Sequence, residues 1–141
     1  VEGMYNGDIY RGIVPLIENL REAGKKIFTA TSKPEHFTKM IIERKGLLDL
    51  FDFIGGSDIT EKGRVTKEDV VKYVLESQKL SENKNDCILI GDRNFDVNGA
   101  HAVGIKCAGI LWGFGSRKEL EEAGADWIFE APEDLEKFLL S

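Results

Sequence analysis

Two aspartates, Asp92 and Asp96, follow the apolar run Cys87-Ile88-Leu89-Ile90-Gly91. That run is strand-like, and in open α/β sheets ligands bind at the carboxyl ends of strands. Two carboxylates placed there suit a hard cation. Mg²⁺ takes one or two carboxylates and fills the rest of its shell with water and phosphate oxygens. The alternative is a plain helix cap, with Asp92 or Asn94 capping a helix that begins near Phe95. A second cluster is Thr29-Ala30-Thr31-Ser32-Lys33-Pro34-Glu35, where a strand runs out in hydroxyls and a helix follows. Ser32 and Glu35 have capping-box spacing. Free amides at a helix N-terminus, together with the Thr31 hydroxyl, would bind an anion, and the alternative is again only a cap. A third candidate is Lys67, which opens a helix after the polar stretch 61–66. The helix dipole disfavours a cation there, so the placement makes sense if an anion or carboxylates sit opposite. The alternative is an ordinary solvated lysine.

Other reactive side chains carry less signal. Cys87 and Cys107 lack CxxC spacing and form no metal signature with His36 or His101, which reads as two buried thiols in a reducing compartment. No partner for either histidine is visible nearby in sequence, which favours structural or surface roles. The lone Gly113-Phe114-Gly115 lacks the third glycine of a dinucleotide-binding loop and reads as a turn.

The elements that must hold these groups alternate regularly. Helical spacing of apolar residues marks 13–23, 34–45, 67–77, 95–103, 116–123 and 132–140, and several of these runs stop at a glycine such as Gly24, Gly46 or Gly104. Short apolar runs at 26–30, 51–55, 87–91, 106–112 and 126–130 read as strands. Ser116 and Glu119 form a second capping-box pattern, and Pro132 sits in the first turn of the last helix. Such alternation predicts an α/β domain, a parallel sheet covered by helices on both faces. The polar opening, residues 1–11, reads as a connector arriving from elsewhere, and residues 12–141 as the domain.

Composition narrows the class. The chain has 141 residues, 42% hydrophobic and 31% charged, with a net charge of −6. No dense Lys/Arg block is present, which argues against a nucleic-acid surface, whose affinity comes from clustered cations. No apolar stretch nears the roughly 20 residues that a membrane span needs. The opening VEGMYNGDIY has neither the basic nor the apolar region of a signal peptide. A cytoplasmic location is expected.

The order of these motifs resembles the haloacid dehalogenase (HAD) superfamily, mostly Mg²⁺-dependent phosphatases with a Rossmann-like core. IFTATS with Thr31 is similar to its second motif, Lys67 in VTKEDVVKYVL to its third, and Gly91-Asp92 with Asp96 to its fourth, GDxxxD. The flanks NGDIYRGIVPLIENLREAGKKIFTATSKP and ILWGFGSRKELEEAGADWIFEAPEDLEKFL resemble the phosphoglycolate phosphatase-like branch. The resemblance implies a three-layer, Rossmann-like parallel sheet. It also implies that Thr31, Ser32 and Lys67 bind the phosphoryl group, that Asp92 ligates Mg²⁺, and that Asp96 does so directly or through water. The substrate would be a small phosphate monoester.

The family's first motif, Asp-x-Asp on the first strand, is absent. Asp49 and Asp52 are three apart, and neither Asp8 nor Asp58 has an aspartate two residues away. By resemblance that motif supplies the nucleophile, on a strand lying centrally between those that end at Thr31 and Gly91, and a cap domain follows it. The expectation is a phosphatase that works through an aspartyl-phosphate, whose nucleophile and cap lie outside this chain. An N-terminal segment or a second polypeptide would supply them, and the chain alone would be inactive. The alternative is a non-catalytic split subunit or phosphate-binding fragment that needs a second polypeptide.

Overall fold

The computed structural model describes residues 7–58 and 64–141, with side chains from residue 13 onward. The order of elements is α1 (Gly7–Glu22), β1 (Phe28–Pro34), α2 (Glu35–Arg44), β2 (Phe53–Ser57), α3 (Lys67–Ser77), β3 (Ile88–Gly91), α4 (Asn94–Ala102), β4 (Lys106–Ile110), α5 (Arg117–Ala123), β5 (Trp127–Phe129) and α6 (Pro132–Leu140). Every strand pairing is parallel, with β1 beside β2 and a second sheet ordered β3-β4-β5. This is the α/β architecture that the alternating pattern predicts. No helix among the described residues is long and apolar enough to cross a membrane.

Period-two alternation sorts the strand side chains between two cores. On β4, Cys107 joins a cluster with Val70, Val74 and Val97 from α3 and α4, whereas Ala108 and Ile110 join Ile13, Ile17 and Leu135 from α1 and α6. Helices therefore cover both faces and make three layers.

Helix boundaries differ from expectation in two places. α1 begins at Gly7, earlier than its apolar spacing indicates, and carries Pro15 inside it. The connector reading of residues 1–11 falls partly on 1–6, outside the described residues. α2 begins only at Glu35, with Pro34 as its N-cap and no capping side chain, so the Ser32–Glu35 box does not form. The cause is Pro34, whose ring pushes the residue before it out of helical space and prolongs the strand. Glu35 accepts instead from Gly56 N–H at 3.3 Å, and Arg64 lies 3.6 Å from its carboxylate.

The two sheets do not pair with each other among the described residues. Between them lies a cavity of about 740 Å³, lined by Phe28 and Ala30 of β1 and by Ile88, Leu89 and Ile90 of β3. Ile13 and Ile17 of α1 close one face of the cavity, and Val71 and Val74 of α3 close the other.

Candidate active site

Parallel strands bring all their C-terminal ends to one edge of the fold. β1 ends there at Thr31-Ser32-Lys33-Pro34, and β3 at Gly91 followed by Asp92. Lys67 opens α3, and a capping box between Thr66 and Asp69 fixes that start. The side chain is not solvated, being only 5% exposed. Its Nζ donates to the Ala30 carbonyl on β1 and lies 2.9 Å from Asp96 Oδ1. One buried cation thus ties β1 at Ala30 to the first turn of α4.

Asp96 is wholly buried. Besides Lys67 on Oδ1, its Oδ2 accepts the amides of Asp92 at 3.0 Å and Arg93 at 3.1 Å. The carboxylate capping α4 is therefore Asp96, reaching back from inside the first turn, and neither Asp92 nor Asn94 does so. Gly91 permits this approach, because a Cβ on it would stand 2.3 Å from Asp96 Cβ. Asp92 is 2% exposed, and its Oδ2 accepts the Phe114 amide at 2.7 Å.

Thr31 is fully buried, and its Oγ1 accepts the Lys33 amide at 3.1 Å. Thr29, two residues earlier, is structural: its hydroxyl donates to Gly55 carbonyl and accepts from Gly55 N–H, each at 3.0 Å. Ser32 is exposed on the last part of β1, before the helix begins. The contacts thus link Thr31 (through its neighbour Ala30), Lys67, Asp96 and Asp92 at one sheet edge, with Ser32 on the same strand end.

The donor chemistry suits Mg²⁺ in part. Asp96 is committed to Lys67 and two amides, which leaves Asp92 as the carboxylate available to a cation. One carboxylate completed by water and phosphate oxygens is a set that Mg²⁺ accepts. No group of three or more His, Cys, Asp or Glu among the described residues forms a self-sufficient metal centre.

The remaining candidates fall away from this edge. Cys107 is buried, and desolvation, with the Asp96 charge adding to it, pushes its thiol up to about 12. Cys87 is half-buried and also raised by desolvation, so neither thiol is activated. His36 packs on the neighbouring Phe37 ring. His101 does have a partner that local sequence hides: its Nε2 lies 2.8 Å from Asp126 Oδ2, which also accepts the Cys107 amide at 2.8 Å. Sequence reasoning also missed the Phe114 amide, the Ala30 carbonyl and Glu119. Ser116 Oγ caps the Glu119 amide as its pattern indicates, but the Glu119 carboxylate turns away to Arg93 Nε at 2.9 Å and Asn94 N–H at 2.8 Å.

A buried lysine–carboxylate pair and an adjacent buried aspartate thus stand at the strand ends of a parallel α/β fold. The model of the haloacid dehalogenase-like hydrolase family matches residues 5–110, and the chain belongs to that family. A 5'-nucleotidase of Pseudomonas aeruginosa is 36% identical over 120 residues, 85% of this chain and 53% of that protein. The tyrosine-protein kinase PtkA of Mycobacterium tuberculosis is 34% identical over 129 residues, 92% of this chain and 43% of that protein. A phosphoglycolate phosphatase of Synechococcus elongatus is 27% identical over 128 residues, 90% of this chain and 57% of that protein. Among solved structures, that of a predicted phosphatase from Clostridium acetobutylicum superposes with a TM-score of 0.87 at 41% identity, covering 93% of this chain and 59% of that one. The neighbours include phosphoglycolate phosphatase-like members, and this chain spans about half the length of the relatives it matches.

Proposed function

We propose that residues 1–141 form the phosphate- and metal-binding part of a Mg²⁺-dependent phosphatase, and that its nucleophilic carboxylate comes from outside them. The observation that carries this reading is Lys67, buried and bonded both to Ala30 on β1 and to Asp96 in the first turn of α4. Holding a buried cation costs several kcal/mol unless it is paired. Asp96 offsets its charge, and an arriving phosphoryl group and nucleophile would add to that. The cavity between β1 and β3 supports the second half of the reading. Its lining is mostly apolar, and among the described residues no strand pairs with β1 or β3 on the side facing it, where a strand inserted between them would lie.

In the reaction, a carboxylate on that inserted strand attacks phosphorus. The P–O bond to the leaving alcohol breaks, and water hydrolyses the resulting aspartyl-phosphate. Lys67 neutralises charge on the nucleophile and the phosphoryl oxygens. The Thr31 hydroxyl donates to one phosphoryl oxygen, and the Ser32 amide can add a second donor. Asp96 holds Lys67 in place and fixes the loop carrying Asp92. Asp92 would hold Mg²⁺, which supplies charge neutralisation at the phosphoryl group when bound. Positioning and electrostatics of this kind carry most of the catalysis in phosphoryl transfer.

The substrate class is a small phosphorylated metabolite. Neither nucleic acid nor a membrane is a partner, given the acidic balance. Two unpaired thiols agree with a reducing, cytoplasmic setting. The test is hydrolysis of phosphate monoesters by the complete protein across a Mg²⁺ titration. Lys67→Met should lower kcat by at least a hundredfold, in keeping with the loss of a transition-state electrostatic contact. Asp92→Asn should remove the Mg²⁺ dependence. An unchanged Mg²⁺ dependence in Asp92→Asn would overturn the metal assignment.

A further inference from the structure

Strands β3 and β4 are parallel neighbours in register, with Gly91 opposite Gly109, so the loops leaving their C-terminal ends lie side by side. The second of these loops carries Gly113-Phe114-Gly115. Phe114 N–H donates to Asp92 Oδ2 at 2.7 Å. Both flanking glycines pack directly on the same aspartate. A Cβ on Gly113 would stand 2.4 Å from Asp92 Cβ and Oδ2, and one on Gly115 would stand 1.9 Å from the Asp92 carbonyl oxygen. Real Cβ atoms do not approach that closely, so any larger residue at either place must displace Asp92 or the loop.

Glu119 braces the arrangement from α5. Its carboxylate holds Arg93 Nε at 2.9 Å and the Asn94 amide at 2.8 Å, while Ser116 caps its own amide at 3.1 Å. The residue before Phe114 and the residue after it touch Asp92, and the helix that follows grips the two residues after Asp92.

We infer that Gly113-Phe114-Gly115 is a positioning clasp that fixes the aim of the Asp92 carboxylate and thereby sets the affinity of this site for Mg²⁺. The inference rests on the metal reading proposed above. The Phe114 amide occupies Oδ2 and leaves Oδ1 for the cation. A carboxylate held from one side keeps a single rotamer, so a cation meets a ligand already oriented. The donor is a backbone N–H, so the Phe114 side chain, 69% exposed, is not what the clasp uses. The glycines are needed because of close approach, which explains a Gly-x-Gly that is not part of a dinucleotide loop.

Direct Mg²⁺ binding to the complete protein, measured by titration calorimetry, tests this without reference to turnover. Gly115→Ala should raise the dissociation constant at least tenfold, with kcat at saturating Mg²⁺ changing less than the affinity. Phe114→Pro, which deletes the donor, should do the same. Phe114→Ala keeps the donor and should bind at least fivefold more tightly than Phe114→Pro. Should either variant fail to fold, the parent protein decides. Its Phe114 amide resonance must shift as Mg²⁺ is added, and an unmoved resonance at saturation overturns the clasp. Gly115→Ala and Phe114→Pro both binding within threefold of the parent also overturns it, as does an equal loss in Phe114→Ala and Phe114→Pro. A parent protein with no affinity for Mg²⁺ removes the metal assignment itself, a failure distinguishable from loss of the clasp alone.

Discussion

At the scale of single residues, Lys67 and Asp96 set the terms of the site. The pair is 2.9 Å apart, with side chains 4% and 0% exposed. Removing one partner of a buried ion pair leaves an uncompensated charge and costs about 3–5 kcal/mol, whereas replacing both with apolar residues is often near neutral. Lys67→Met should therefore destabilise the complete protein by about that amount, and Lys67→Met with Asp96→Leu should recover part of it while remaining inactive. Asp96→Leu also deprives two amides of their acceptor, so the recovery is incomplete. Urea melts of the parent, the single and the double variant measure this, and a Lys67→Met melt within about 0.5 kcal/mol of the parent, the range of an ordinary surface change, would contradict it. The sequence shows Asp96 as a carboxylate four residues after Asp92. The two amides on its Oδ2 come from its own turn, but the Lys67 contact on Oδ1 follows from α3 packing against α4, which spacing along the chain does not reveal.

At the scale of elements, carboxylates fasten helices and loops to the strands. Asp126 joins His101 of α4 to the β4 backbone at Cys107, and Asp52 joins Arg21 of α1 to Ile27 just before β1, at 2.7 Å for both contacts. Burial alone would raise both carboxyls. The His101 and Cys107 donors for Asp126, and the Ile27 amide and Arg21 for Asp52, outweigh it and hold both below the ordinary value of 3.8. A depressed folded-state value means that this stabilisation is fully present above 3.8 and is lost as the pH falls through the lower, folded value. The melting temperature should accordingly drop as the pH is taken from about 5 to about 3, and Asp126→Asn should flatten part of that drop. A melting temperature unchanged across the interval would contradict the assignment. Most elements were legible in the sequence, because each apolar run keeps one period and glycines or prolines close many of the helices. The Ser32–Glu35 cap was misread because Pro34 prolongs β1. The His101–Asp126 and Glu119–Arg93 links were invisible because their members lie 25 and 26 residues apart, on different elements.

At the scale of the whole molecule, two parallel sheets stand either side of an apolar cavity, and Lys67 bridges the site edge. Each backbone group left buried and unpaired costs about 1–3 kcal/mol, and a few such losses rival a domain's entire stability of about 5–15 kcal/mol. An apolar strand inserted between β1 and β3 would pair both edges, fill the cavity and carry a carboxylate to the end where Thr31, Lys67 and Asp92 gather. On the proposed reading, the same insertion would complete both the sheet and the reaction centre. The measurement that tests this most directly is Mg²⁺-dependent hydrolysis of a phosphate monoester by residues 1–141 alone, run beside the complete protein. The account predicts turnover by the complete protein and none above background by residues 1–141. Mg²⁺-dependent turnover by residues 1–141 that disappears in Asp92→Asn would place the nucleophile within this chain and contradict it.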